Sequence, residues 1–202
     1  MTQAALILCG GFSERMGRDK AGLMFGDEPL LARIVRVVMP CVDEVWLVAR
    51  EGQELAVNES LGLPIARDPE EGLGPLAGVA AGLRAMKAER AFVVSCDVPL
   101  LEARLVRGLL KLSVGYRAAI PLIDGHYMST CAVYAKSLVP EIESMLRSGE
   151  RRPRQIMQLS QTCSIGVEAI EELDPQHNSF VDCNTPESYR EALVLAGLSE
   201  HS

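Results

Sequence analysis

The sequence predicts a Rossmann-like, doubly wound α/β fold with a mostly parallel sheet and helices on both faces, and three observations carry that expectation. Short β-branched or apolar runs alternate with longer stretches whose apolar residues recur at three- and four-residue spacing, the pattern of βα units on a parallel sheet. The chain of 202 residues has the length of one domain and can remove roughly 70% of its unfolded surface from water without disulfide staples. Its composition, 48% apolar and 23% charged, is that of an ordinary globular protein and excludes a disordered chain, a collagen or a coiled coil.

Strands are expected at Ala4–Cys9, Asp43–Ala49, Leu63–Asp68, Ala91–Cys96 and Tyr116–Leu122, with helices at Pro29–Met39, Gln53–Leu61, Pro75–Glu89 and Glu102–Leu112 between them. The segment HYMSTCAVYAKS reads as one further strand, antiparallel to the rest. A helix over Leu138–Leu146 and the basic loop SGERRPRQ follow it. The last stretch, NSFVDCNTPESYREALVLAG, reads as strand, turn and helix, with Pro186 at the helix start and Gly197 near its end.

Charge and composition exclude several functions. With 20 basic and 27 acidic residues the net charge is −7, so the surface as a whole repels nucleic acid and anionic membrane. Aromatics at 4% are too few for a base-stacking single-strand binder. The six cysteines form no C-x-x-C pair and the histidines number three, which excludes a zinc site of ordinary spacing. The amino-terminal apolar run is too short for a secretory or membrane helix. A cytoplasmic, reduced protein is expected.

In a sheet of order 3-2-1-4 the strand order reverses between the first and fourth strands, and ligands lie outside their carboxyl ends. Two segments meet there. The loop CGGFSERMGRDK combines Gly10, Gly11 and Gly17 with Arg15, Arg18 and Lys20, bare amides and cations suited to phosphate. It is neither a Walker A loop nor a G-x-G-x-x-G turn, and the bland alternative is a glycine turn with solvated charges. Asp97, at the end of FVVSC, is suited to Mg²⁺ beside a triphosphate; the competing reading is an N-cap for the next helix. In RDPEEGLGPLAG, Gly74, Pro75 and Gly78 let a flat ring approach the backbone and Asp68 offers acceptors to a base or ribose, or the segment is merely a helix start packed close to the sheet.

Together LILCGGFSERMGRDK, RDPEEGLGPLAG, VVSCDVPLL and FVDCNTPES resemble the molybdenum cofactor guanylyltransferases of the glycosyltransferase-A-like nucleotidyltransferase superfamily, in order and through almost the whole chain. The resemblance implies transfer of GMP from GTP to molybdopterin-bound molybdenum with Mg²⁺ and release of diphosphate. It implies that Leu8, Cys9 and Gly10 touch guanine or ribose, that Arg15 and Lys20 hold phosphates, that Asp68 holds the nucleoside, and that Asp97 binds Mg²⁺. Gly11, Gly74 and Gly78 complete the expected nucleotide site, residues 1–122 its half of the single domain, and residues 123–202 the half for the cofactor substrate. Asp182 stands where many relatives have asparagine. Asp182 and Asn184 are expected at the pterin, against a reading in which Asp182 or Thr185 simply caps the last helix. The run Arg151, Arg152 and Arg154 is either a lure for the pterin phosphate or a solvated loop. Cofactor-insertion chaperones and apo-molybdoenzymes are the expected protein partners. The rival readings are a cytidylyltransferase for the same cofactor, a sugar-nucleotide pyrophosphorylase, and a non-catalytic carrier.

Overall fold

The computed structural model describes residues 2–10, 12–13, 18–68 and 74–199, with the backbone alone for residues 12–13 and 18–20. Eight strands form its main sheet: β1 (Gln3–Leu8), β2 (Glu44–Arg50), β3 (Ile65–Asp68), β4 (Arg90–Ser95), β5 (Ala118–Ile123), β6 (His126–Tyr127), β7 (Cys131–Ala135) and β8 (Thr162–Ile165). Helices are α1 (Leu30–Val38), α2 (Asn58–Leu61), α3 (Pro75–Ala85), α4 (Ala103–Leu112), α5 (Val139–Arg147), α6 (Val167–Glu171) and α7 (Pro186–Leu195). The sheet runs β6-β5-β7-β4-β1-β2-β3, with β8 paired to β5. The expected 3-2-1-4 half is there, every pair in it parallel.

β1 shows why both faces are covered. Ala5, Ile7 and Cys9 join α1, α4 and Ile170 of α6 in one core, while Ala4, Leu6 and Leu8 join α3 and Ile142 of α5 in the other, as side-chain alternation along a doubly covered strand requires. α3 lies so close to β1 that a Cβ on Gly82 would come within 2.7 Å of Leu6 Cδ1. A larger residue there would force Leu6 to shift within a filled core.

Three expectations are corrected. The one further strand expected over HYMSTCAVYAKS is antiparallel as read but divides into β6 and β7, and β7 lies between β4 and β5, antiparallel to both, so the sheet is mixed in its second half. The helix expected over Gln53–Leu61 shrinks to Asn58–Leu61. The Gln53 side chain is the reason: its Oε1 accepts from Arg50 N and its Nε2 donates to Cys9 O, which holds the preceding residues in a turn. Residues 178–183 form no strand. There the carboxylate of Asp174 accepts from Asn178 N and Ser179 N, and a 3-10 turn at Asn178–Phe180 results, because side-chain partners replace a ladder. Finally, β8 and α6 were not expected at all.

Candidate active site

The carboxyl ends of β1 and β4 carry the site. Cys96 N donates to Leu8 O at 3.1 Å, so the residues after β4 stay in register with the end of β1. Asp97 follows and is buried, at 6% exposure. The N-cap reading of Asp97 fails, since α4 begins at Ala103 with Glu102 at its N-cap. Capping α4 is therefore not the role of its carboxylate.

The carboxyl-terminal segment is drawn against this point by two bonds. Cys183 N donates to Asp97 O at 2.8 Å, and Glu102 N donates to Ser179 Oγ at 3.1 Å. A cavity of about 190 Å³ results, lined among others by Ser95, Asp97, Thr130, Cys131, Asp182 and Asn184. Burial, reinforced by the negative charge of Asp174, pushes the Cys131 thiol well above its ordinary range. It stays a neutral thiol, so the polar donors facing the cavity are hard oxygens and an amide, the set that suits Mg²⁺ rather than a soft metal. No group of three or more His, Cys, Asp or Glu among the described residues forms a metal cage. An ion held by one or two carboxylates and completed by substrate phosphate oxygens and water needs no such cage.

Asp182 Oδ1 accepts from Asn184 N at 3.0 Å, and α7 is capped separately. Thr185 Oγ1 accepts from Ser188 N, and Ser188 Oγ accepts from Thr185 N, each at 3.1 Å. This capping box gives the capping role to Thr185 and leaves Asp182 and Asn184 on the cavity wall.

At the other end of the site Leu8, Asp68 and Gly78 converge. A Cβ on Gly78 would sit 3.5 Å from Leu8 Cδ2 and 4.0 Å from Asp68 Oδ2. Gly74 takes a left-handed φ of 71° at the N-cap of α3. Gly10 is exposed after β1, whereas Cys9 is buried with its N–H on Val48 O and its carbonyl on Gln53 Nε2. Past it the chain folds into a short hairpin, Phe12–Ser13 against Arg18–Asp19, and then a 3-10 helix at Lys20–Gly22. Gly11 and Arg15 lie outside the described residues, as does the side chain of Lys20.

A second cavity, of about 550 Å³, is lined by Pro75, Gly125, His126, Tyr127, Ser129, Arg151, Arg152, Pro153 and Arg154. The sequence singled out the three arginines. His126, Tyr127 and Ser129, with Met128 and Thr130 on the first cavity, belong to the segment read as one further strand, and Phe180 to the closing stretch; none of them was named as a candidate site residue.

With this geometry in view, comparison with known proteins is decisive. Residues 5–165 match the MobA-like NTP transferase domain. The chain belongs to that family. Among its similar NTP transferases is a probable molybdenum cofactor guanylyltransferase of Pelotomaculum thermopropionicum, 32% identical over 97% of this chain and 95% of that one. A molybdenum cofactor guanylyltransferase of Pseudomonas putida is 37% identical over 72% of this chain and 77% of its own. Among solved structures, molybdopterin-guanine dinucleotide biosynthesis protein A of Archaeoglobus fulgidus superposes with a TM-score of 0.84 at 24% identity, covering 96% of this chain and 98% of that one. The 2-C-methyl-D-erythritol 4-phosphate cytidylyltransferase of Thermus thermophilus shares the fold at a TM-score of 0.70 and 19% identity, covering 96% and 98%. The α/β nucleotidyltransferase fold expected from the sequence is therefore the fold observed.

Proposed function

We propose that this NTP transferase moves GMP from GTP to molybdenum-loaded molybdopterin, forming molybdopterin guanine dinucleotide and releasing diphosphate. The observation that carries the reading is the convergence of Asp97, Asp182 and Asn184 on one cavity at the end of β4. The family and the guanylyltransferase relatives narrow it to this transfer.

In the reaction an oxygen of the acceptor's phosphate attacks the α-phosphorus of GTP in line. The bond from that phosphorus to the bridging oxygen breaks, and diphosphate leaves with the electron pair. An ionised phosphate needs no general base, so the protein's work is to position two anions and offset their repulsion. Leu8, Cys9, Gly10, Gly11, Asp68, Gly74 and Gly78 hold the nucleoside, and the backbone after β1 with Arg15 and Lys20 holds its phosphates. Asp97 would hold Mg²⁺, which would supply charge neutralisation at the reacting phosphates. Asp182 and Asn184 hold the acceptor, Asn184 through an amide that both donates to and accepts from a pterin edge. The six free cysteines suit a reducing cytoplasm, and insertion chaperones and apo-molybdoenzymes are the recipients of the product.

Diphosphate release from each of the four NTPs, with Mg²⁺ and molybdenum-loaded molybdopterin, tests the reading. GTP alone is expected to support steady turnover. Turnover with CTP instead makes the protein a cytidylyltransferase, and binding without turnover makes it a carrier.

A further inference from the structure

Where β1 and β2 end, a side chain stands in the place of a ladder bond. Leu8 pairs with Val48, and Cys9 N continues the ladder by donating to Val48 O at 2.8 Å. The bond due next in a parallel pair runs from Arg50 N to Cys9 O. Instead the carboxamide of Gln53 is inserted between the two: Nε2 donates to Cys9 O at 3.0 Å, and Oε1 accepts from Arg50 N at 3.2 Å. An amide uses both its donor and its acceptor there, and the two strands part by its width.

The turn that carries Gln53 is braced from the next strand. Arg67 Nη1 donates to Arg50 O at 3.0 Å and to Gln53 O at 2.7 Å, and Glu51 N donates to Asp68 O at 3.0 Å. Residues 50–53 therefore tie the end of β1 to the end of β3, and so Cys9 to Asp68.

The consequence falls on Gly10. In a trans peptide the N–H lies opposite the carbonyl, so a Cys9 carbonyl held toward β2 turns the Gly10 N–H toward β4. Leu8 O already faces that way, accepting from Cys96 N at 3.1 Å, and Asp97 comes next. The β2 side is filled, since a Cβ on Gly10 would lie 3.7 Å from Arg50 Cγ. Gly10 N–H donates to no described residue, and it opens on the crevice between β1 and β4, where the strand order reverses and ligands bind.

Resting on the guanylyl-transfer reading, we infer that Gln53 is a positioning residue of the nucleotide site: its carboxamide holds the Cys9 carbonyl back so that the Gly10 N–H donates to an oxygen of the bound nucleotide. Without that bond the Cys9–Gly10 peptide is free to rotate, and a rotated peptide presents a carbonyl oxygen where a donor is needed.

Gln53→Glu isolates the bond, because it keeps the length of the side chain and an acceptor for Arg50 N while it sets an oxygen against Cys9 O. The affinities of GTP, CTP and molybdenum-loaded molybdopterin are measured for both proteins well below their unfolding midpoints. GTP binding is expected to weaken about tenfold in the variant, with molybdopterin binding unchanged. Unaltered GTP affinity beside a lowered unfolding midpoint overturns the inference and leaves Gln53 a structural plug. An equal loss for GTP and molybdopterin overturns it too, since that reports a general distortion. If Gln53→Glu does not fold, the amide proton resonance of Gly10 in the wild-type protein decides: a downfield shift on adding GTP sustains the inference and no shift overturns it. Tighter binding of CTP than of GTP by the wild-type protein overturns guanylyl transfer itself, and the same comparison of variant with wild type, read on CTP, still decides the role of Gln53.

Discussion

On one side of residues 126–130 the site is acidic, with Asp97 and Asp182; on the other it is basic, with Arg151, Arg152 and Arg154. In the proposed transfer the acidic side meets a phosphate, and a carboxylate-lined cavity admits one readily only together with a cation, the duty proposed for Mg²⁺. An arginine-lined cavity attracts an anion directly, and its contribution is weakened by salt. The first is the smaller of the two, about 190 Å³ against about 550 Å³.

Asp97→Asn breaks the acidic side and carries the largest expected effect. A neutral amide is a much poorer ligand for a hard cation, and loss of charge stabilisation at the reacting phosphate is expected to cost about 10²–10³ in turnover. The bond from Cys183 N is to the backbone carbonyl of Asp97 and survives, so the carboxyl-terminal segment should keep its place against the end of β4. Steady-state diphosphate release at saturating Mg²⁺ measures the effect; wild-type turnover would return Asp97 to a structural role.

Asp174→Ala loosens the wall of the same cavity without touching its contents. Asp174 is 1% exposed, and its carboxylate satisfies Asn178 N and Ser179 N. Leaving both amides without that partner is expected to cost about 3 kcal/mol of stability, read as a lower urea midpoint. Turnover should fall with it, because Ser179 anchors the segment that leads to Asp182.

The same division governs how much could be read from sequence. The half proposed for the nucleotide was legible because its strands are apolar runs separated by helices, and because a parallel sheet of order 3-2-1-4 follows from that alternation. Asp97 after β4, Asp68 at the end of β3 and Gly78 in α3 lie in the fold where those expected elements put them, and their roles remain proposals. The half proposed for the acceptor was legible only in pieces. TCSI of β8 is four residues with polar positions and no period, and the crossing of β7 between β4 and β5 depends on long-range pairing that no local pattern records. Asp174 gives no signal in sequence, since its worth comes from two amides that only the folded turn presents to it. The three arginines stood out as a basic run, but that they line one cavity with His126 and Tyr127 follows from the β5–β6 turn.

Asn184→Ala sharpens the boundary between the two sides with a smaller effect. The backbone bond to Asp182 and the Thr185–Ser188 capping box do not involve the Asn184 side chain, so both should survive the substitution. Loss of one neutral hydrogen bond to the acceptor is expected to weaken its binding about three- to tenfold, with GTP binding intact. Calorimetric titration of both ligands checks it. If neither affinity moves, Asn184 belongs to the helix start and not to the site.

The smallest expected effect comes from Glu150, which tempers the basic side. Its carboxylate is held down to about 2, first by the side-chain hydrogen bond from Arg152, then by backbone N–H groups of Arg152 and Arg151. A depressed carboxylate pKa means the pair is intact above the ordinary carboxylate range and opens only as pH falls toward about 2, so Glu150 adds no pH dependence to acceptor binding near neutrality. Glu150→Gln removes the charge, while its remaining amide oxygen can still accept from the two backbone N–H groups that Glu150 Oε1 serves now. Arg152 is then released toward the cavity, and acceptor affinity is expected to rise about two- to threefold at low salt, a gain that fades as ionic strength screens exposed charges. Acceptor affinity measured across a salt series in both proteins checks this. A fall in affinity instead would mean that Glu150 serves the site by holding Arg152 in place, and that geometry outweighs net charge on the basic side.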